Sequence, residues 1–301
     1  MCAVYGFLDY GKKINHKMLM KILRELSIAA EVRGIDATGI SYVRNGEIVT
    51  FKKAVPAHKM KLFLPVGTTA VIGHNRLTTQ GSEKKNYNNH PFEGRTDKHN
   101  FALAHNGILY NDKEIKRENN LPKTPIETDS YVAVQLLEQQ NCVNSMMLQS
   151  VAETVWGSFV FTVLRDDNTL FLVKGDNPLT IYHYPELGLY LYASTTDILK
   201  NALKLAKFKE HFEAVPIQTG EIIQINSDGK LSKSYFEIPH CGFEYEDDLT
   251  LVCNCFGVDR DDVEFLCSCG YTSDEIEELL LDSDLFEEVL KETKTLVFSE
   301  K

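Results

Sequence analysis

Apolar positions in this chain fall into two rhythms that predict different elements. Residues 3–8 are apolar almost without interruption and predict a short buried strand over 3–9. Residues 16–31 carry Met18, Ile22, Leu26 and Ala29–Ala30 along one side, which predicts a helix. Asn45-Gly46 is a hairpin turn joining strands over 40–43 and 47–53. A short helix is expected over 56–64 and a strand over 69–72. Residues 101–104 read as a strand ending at His105-Asn106-Gly107, and Thr128-Asp129 as the cap of a helix reaching about Gln139. Further helices are expected over 145–155 and 195–206. Strands are expected over 158–164, 169–173, 180–183, 189–193 and 222–225, with Asp228-Gly229 turning the last one back. Helices therefore come in blocks between blocks of hairpin-linked strands. This is the pattern of layered antiparallel sheets flanked by helices rather than of regular βαβ alternation.

Charge changes the picture near Pro239. Residues 241–301 hold four Lys and Arg against eighteen Asp and Glu, a balance of −14, whereas residues 1–240 hold 28 against 25. The boundary suggested is a domain over 1–240 and an acidic appendix over 241–301. Such acidity argues against direct nucleic-acid binding. Val258, Phe265, Leu266, Ile276, Leu279, Leu280, Leu285 and Val289–Leu290 give the appendix a helical apolar pattern, unlike a purely disordered acidic tail. No run approaches the roughly 18 apolar residues of a membrane span, and the apolar start lacks the basic leader of a signal peptide. Seven cysteines, an odd number, do not read as a disulfide framework; a cytoplasmic protein is expected. Neither a dinucleotide-binding GxGxxG loop nor a Walker phosphate loop is present.

The chemistry begins at Cys2. Removal of Met1, which a small second residue permits, leaves one residue with two useful groups. Its thiol is a nucleophile, and its own α-amine, with a pKa of about 7.7–8.0 against about 8.5 for a free thiol, is a base. The plainer reading is a small buried residue at a strand start. Asn106 can offer a side-chain NH₂ and Gly107 a backbone N–H to an oxyanion, or His-Asn-Gly can be an ordinary turn. Arg76 and Thr79 can receive a carboxylate, or Arg76 can be an ordinary surface ion pair. Asp129 can receive an ammonium, or be a charge at a helix start.

Together these stretches resemble the class II glutamine amidotransferase domain, an N-terminal-nucleophile hydrolase. The resemblance spans roughly residues 2–240. It rests on Cys2 with Gly6, Arg33-Gly34-x-Asp36-Ala37-x-Gly39, Gly73-His74-x-Arg76-x-x-Thr79-x-Gly81, Asn89-His90-Pro91, His105-Asn106-Gly107, Thr128-Asp129 and Gly220-Glu221. It implies an α+β fold, a four-layer α-β-β-α sandwich of antiparallel sheets, here followed by a small helical appendix. It implies Cys2 as nucleophile and, through its amine, base, with Asn106 and Gly107 as the oxyanion hole. Arg76 and Thr79 would hold the glutamine carboxylate and Asp129 its ammonium. Arg33 would shape the loop beside the Cys2 amine, and His74, His90 and His105 would be mainly structural. No cofactor is called for.

Ala3 stands where the family usually has Gly, and Leu77 and Gln80 where its synthases often carry aromatic and His residues. Those synthases use the ammonia in a further domain, which the acidic appendix over 241–301 cannot supply. The function expected is therefore a glutaminase delivering ammonia to a separate synthase. The alternatives are an amidohydrolase of another γ-glutamyl amide, or an idle binding protein of the same fold. A homo-oligomer stays open. In the appendix, Cys253, Cys255, Cys267 and Cys269 form two CxC pairs able in principle to ligate zinc. They are tighter than usual knuckles, however, and Cys267 also reads as a core residue of a helical hairpin closed by Gly270 and a Thr272-x-x-Glu275 capping box.

Overall fold

The apolar run after Cys2 forms β1 (Ala3–Asp9), buried at every position. Its alternate residues face two cores: Ala3, Tyr5 and Phe7 lie in one, Val4 and Leu8 in the other. A strand covered on both faces has no polar side to show, hence the unbroken run. The computed structural model describes residues 2–238, 253, 256 and 258–299, and the chain divides into two compact units, Met1–Pro239 and His240–Lys301.

In the first unit β1 is followed by α1 (His16–Ala29), β2 (Ala37–Arg44), β3 (Glu47–Lys53), β4 (Ala70–Arg76), β5 (Phe92–Arg95) and β6 (Asn100–Leu109). Then come α2 (Asp112–Glu118), α3 (Tyr131–Gln139), α4 (Ser145–Thr154), β7 (Gly157–Arg165), β8 (Leu170–Lys174), β9 (Thr180–Tyr184) and β10 (Leu189–Ala193). α5 (Thr196–Ala206), β11 (Glu213–Val215), β12 (Glu221–Ile225) and β13 (Leu231–Tyr235) complete it. One sheet runs β11-β9-β10-β1-β4-β2-β3 and the other β13-β12-β8-β7-β6-β5, and the pairings are antiparallel.

Three cores define four layers. Leu19, Ile22, Leu23 and Leu26 of α1 and Ile198, Leu199 and Ala202 of α5 cover the outer face of the first sheet. Val4, Leu8 and Ile72 meet Ala102, Ala104, Val160 and Leu172 between the sheets. Val132 and Leu136 of α3 and Leu148 and Val151 of α4 cover Phe159, Phe161, Val163 and Phe171 on the far side. Helix starts are set locally: the side chains of Asn15, Asn144 and Thr195 accept hydrogen bonds from the N–H groups of Met18, Met147 and Ile198.

Two expectations fail here for identifiable reasons. The helix expected over 56–64 is a single 3₁₀ turn, Ala57–Lys59. Beyond it Met60, Leu62 and Leu64 point inward while Lys61 and Phe63 stay exposed, a period of two that only an extended chain satisfies. The strand expected to stop at Ala104 continues to Leu109, because β7 pairs with it throughout, Asn106 opposite Val160 and Gly107 opposite Phe159.

The second unit contains helices Arg260–Ser268, Ser273–Leu280 and Ser283–Ser299. Thr272 and Glu275 form a reciprocal capping box, and Gly270 (φ +101°) supplies the left-handed turn before it. Val263, Leu266, Ile276, Leu280, Phe286 and Leu290 are buried, but Leu285 is exposed, contrary to its place in the sequence pattern. Cys267 is exposed rather than a core residue, as is Cys269, whereas Cys253 is buried. Cys255 lies outside the described residues, and among those described no three His, Cys, Asp or Glu gather as a metal site. Among the described residues no helix is long and apolar enough to cross a membrane.

Candidate active site

Cys2 sits at the start of the central strand of its sheet and is only 8% exposed. Its Sγ lies 3.4 Å from both the N–H and the carbonyl oxygen of Leu77, and Arg33 Nε donates to its carbonyl oxygen at 2.8 Å. Burial pushes the Cys2 thiol above its ordinary value; the contact with Leu77 and the nearby Arg76 charge pull the other way, and Asp129 adds to the rise. A thiol held mostly protonated needs a base to act near neutral pH. The segment carrying Arg33 packs directly on the turn that carries Leu77. A Cβ on Gly34 would sit 2.5 Å from the Arg76 carbonyl carbon, so only glycine allows this approach. Asp36 then pins the turn, its N–H donating to the Arg76 carbonyl at 3.0 Å and its Oδ2 accepting from Thr78 N–H at 2.7 Å.

Arg76, 3% exposed at the end of β4, donates through Nη2 to the carbonyls of Gln80 (2.6 Å) and Gly81 (3.0 Å) and through Nη1 to Asn89 Oδ1 (2.8 Å). Burial lowers its pKa, with Cys2, Glu83, Asp129 and Asp36 opposing that shift. The guanidinium thus anchors the turn that follows it, and its Nη2 edge is occupied by loop carbonyls rather than presented as an open fork. Thr79 is exposed; the buried hydroxyl of this turn without a protein partner is that of Thr78.

Asp129 does not cap α3. Ser130 holds the cap position and makes no side-chain cap bond, while the Thr128 hydroxyl is buried without a partner. The Asp129 carboxylate, 4% exposed, instead accepts from Leu109 N–H at 2.7 Å and from the Ser130 hydroxyl at 3.3 Å. Its backbone N–H donates to Gln80 Oε1 at 2.9 Å, joining it to the Arg76 turn.

Asn106 lies inside β6 with no exposure, and neither its side-chain nitrogen nor its side-chain oxygen has a hydrogen-bond partner. Leaving such a group unpaired costs roughly 1–3 kcal/mol, so this amide is waiting for a ligand or is a standing penalty. Gly107 beside it has φ +149°, and an added Cβ would lie 1.8 Å from the Ser158 carbonyl oxygen. Its backbone therefore takes a course closed to other residues.

Three histidines lie beneath. His74 Nε2 bonds the His105 carbonyl at 2.8 Å, His105 Nδ1 bonds the Ser130 hydroxyl at 2.8 Å, and His90 stacks on His74 at 4.2 Å. Burial lowers all three, His74 to about 3 and His90 well below the ordinary range, while Asp129 partly opposes the shift at His105. Their unfolded pKa is about 6.5, so above that pH both states are neutral and stability is full. As pH falls below 6.5 the unfolded chain takes up protons that the folded one refuses. His74, lowered to about 3, then removes about 2 kcal/mol of stability between pH 6.5 and 5, and His90 and His105 act in the same direction. The urea midpoint at pH 5 is expected to fall well below that at pH 7; equal midpoints would contradict neutral burial.

Sequence reasoning picked out Cys2, Arg33, Arg76, Asn106, Gly107 and Asp129, and the structure links them through a chain of contacts across both sheets. It passed over Thr78, Gln80 and Asn89 as polar contacts of the turn, and gave Asp36 no role. Asp36 and Asn89 lay inside the quoted motifs, which was the available signal.

A four-layer α-β-β-α sandwich with a buried cysteine opening its central strand has the N-terminal-nucleophile hydrolase architecture. A family model described as a glutamine amidotransferase domain matches residues 74–201. Glutamine–fructose-6-phosphate aminotransferase (isomerizing) of Bacillus cereus is 30% identical over 189 residues, 60% of this chain and 30% of that protein. The enzyme of the same name from Staphylococcus aureus is 28% identical over 246 residues, 77% of this chain and 38% of that one. Among solved structures, glutamine phosphoribosylpyrophosphate amidotransferase from B. subtilis superposes with a TM-score of 0.61 at 18% identity, covering 82% of this chain and 53% of its own. A structure described as the allosteric regulatory enzyme of purine biosynthesis gives 0.61 at 20% identity, covering 79% and 50%. These likenesses support a class II glutamine amidotransferase domain in this chain. It spans about a third of the length of the curated relatives and about half of the solved ones.

Proposed function

We propose that this domain hydrolyses the side-chain amide of glutamine through a thioester on Cys2 and passes the ammonia to a separate synthase. The Cys2 α-amine, free once Met1 is removed, takes the thiol proton as sulfur attacks the amide carbon. The Asn106 side-chain NH₂ and the Gly107 N–H receive the developing oxyanion. Collapse expels ammonia, which leaves with the proton from the amine, and a thioester remains. Water then attacks the thioester, glutamate departs, and the thiol is restored. Arg76, with Thr79 at its turn, attracts the α-carboxylate; Asp129 takes the α-ammonium; Arg33 holds the Cys2 carbonyl and so the direction of the amine. The observation carrying this reading is the buried, unpaired amide of Asn106 beside the glycine that only a specialised backbone requires. Residues 241–301 serve as an acidic appendix, with helices Arg260–Ser268, Ser273–Leu280 and Ser283–Ser299, and not as a second enzyme. The free cysteines fit a reducing compartment, and we place the protein in the cytoplasm.

The test is incubation with glutamine and with γ-glutamyl amides, measuring released ammonia and amine. Glutamine is expected to be turned over, with glutamate and ammonia in equal amounts. Faster release of amine from a γ-glutamyl amide would shift the assignment to another amidohydrolase, and no release from either would make the fold an idle one. Intact mass and N-terminal sequencing of active protein are expected to show Met1 missing. Full activity in a chain retaining Met1 would remove the α-amine from the mechanism.

A further inference from the structure

Gln80 touches both groups assigned to the two ends of the substrate. Its carbonyl oxygen accepts from Arg76 Nη2 at 2.6 Å, and its side-chain Oε1 accepts from the Asp129 backbone N–H at 2.9 Å. A backbone N–H can only donate, so the side-chain atom facing it must be the amide oxygen, and the orientation of this amide follows from chemistry. The chain of bonds continues through the Asp129 carboxylate to Leu109 N–H at the end of β6. It therefore ties the end of β4 in one sheet to the end of β6 in the other. A free amino acid carries its carboxylate and ammonium on one carbon, so the two receptors must be held at one separation. Without the Gln80 side chain, the Arg76 turn and the Asp129 segment lose this direct bond.

We infer that Gln80 is a positioning residue that sets the spacing of Arg76 and Asp129, and through it the preference for a substrate with a free α-amino acid end. This rests on the glutamine reading above. The side chain of Gln80 is partly exposed, so replacing it leaves the core untouched.

The experiment compares wild type with Gln80→Met, which keeps length and bulk but removes the acceptor. Gln80→Asn, one methylene too short, is the second variant. Steady-state hydrolysis of glutamine is measured, with glutamate (both charged ends) and glutarate (no ammonium) as competitive inhibitors. Both variants are expected to raise KM for glutamine and Ki for glutamate about five- to tenfold, the net value of one hydrogen bond. kcat and Ki for glutarate are expected to stay within about twofold. A merely structural role would weaken both inhibitors alike, and that result overturns the inference, as does an unchanged KM. Wild-type protein that does not hydrolyse glutamine at all overturns the underlying reading and this inference with it, and is recognised by the absence of any KM to compare.

Discussion

Cys2→Ala is expected to abolish glutamine turnover, by at least about 10⁴-fold, while glutamine still binds. The physical basis is that none of the hydrogen bonds holding Arg33, Arg76 and Asp129 runs through the sulfur. Among the described residues the hydrogen bonds of Sγ go to the Leu77 peptide, at 3.4 Å, and exchanging the thiol for a hydrogen leaves Arg33, Arg76 and Asp129 with the hydrogen bonds they have now. Calorimetric binding of glutamine together with loss of ammonia release separates chemistry from recognition. Retention of substantial hydrolysis would place the nucleophile elsewhere and undo the mechanism.

Asn106→Ala is expected to lower kcat by roughly 10²–10³, the cost of one oxyanion donor, with little change in KM. Its effect on stability should run the other way. The amide makes no hydrogen bond in the folded protein, so truncation breaks none and ends the burial of two unpaired polar atoms. Stability is expected to hold or to rise by up to ~1 kcal/mol. Opposite signs in activity and stability are the mark of a group kept for function. A variant that loses stability and keeps activity would make Asn106 a structural residue. Gly107 behaves differently: a side chain there collides with the Ser158 carbonyl, so its replacement is expected to damage the fold as well.

The layers of the fold were legible because their signals are local. The strand after Cys2 is an apolar run, the β2–β3 hairpin is announced by Asn45-Gly46, and α1, α4 and α5 begin at side chains that cap them. The resemblance supplied the sandwich and the family, and both hold. What escaped depends on contacts distant in sequence. His105-Asn106-Gly107 has the composition of a turn, and only pairing with Phe159 and Val160 some fifty residues later keeps it in β6. Thr128-Asp129 has the composition of a cap, but Leu109 N–H draws the carboxylate away. The Arg76 guanidinium was read as a receptor for substrate; nothing in its neighbours along the chain announced that it also holds Gln80, Gly81 and Asn89. Site residues were therefore easier to name than to give geometry, because a motif records which residues meet and not which atoms are already engaged.

The central claim is that Cys2 attacks a bound glutamine. An electrophilic glutamine analogue, bearing a reactive ketone in place of the amide, tests it when followed by intact mass and peptide mapping. One adduct per chain is expected, on Cys2, formed slowly in the presence of excess glutamine and reduced in Arg76→Ala. An adduct on Cys142 or on the appendix cysteines instead, or labelling of Cys2 that glutamine does not slow, would contradict the account.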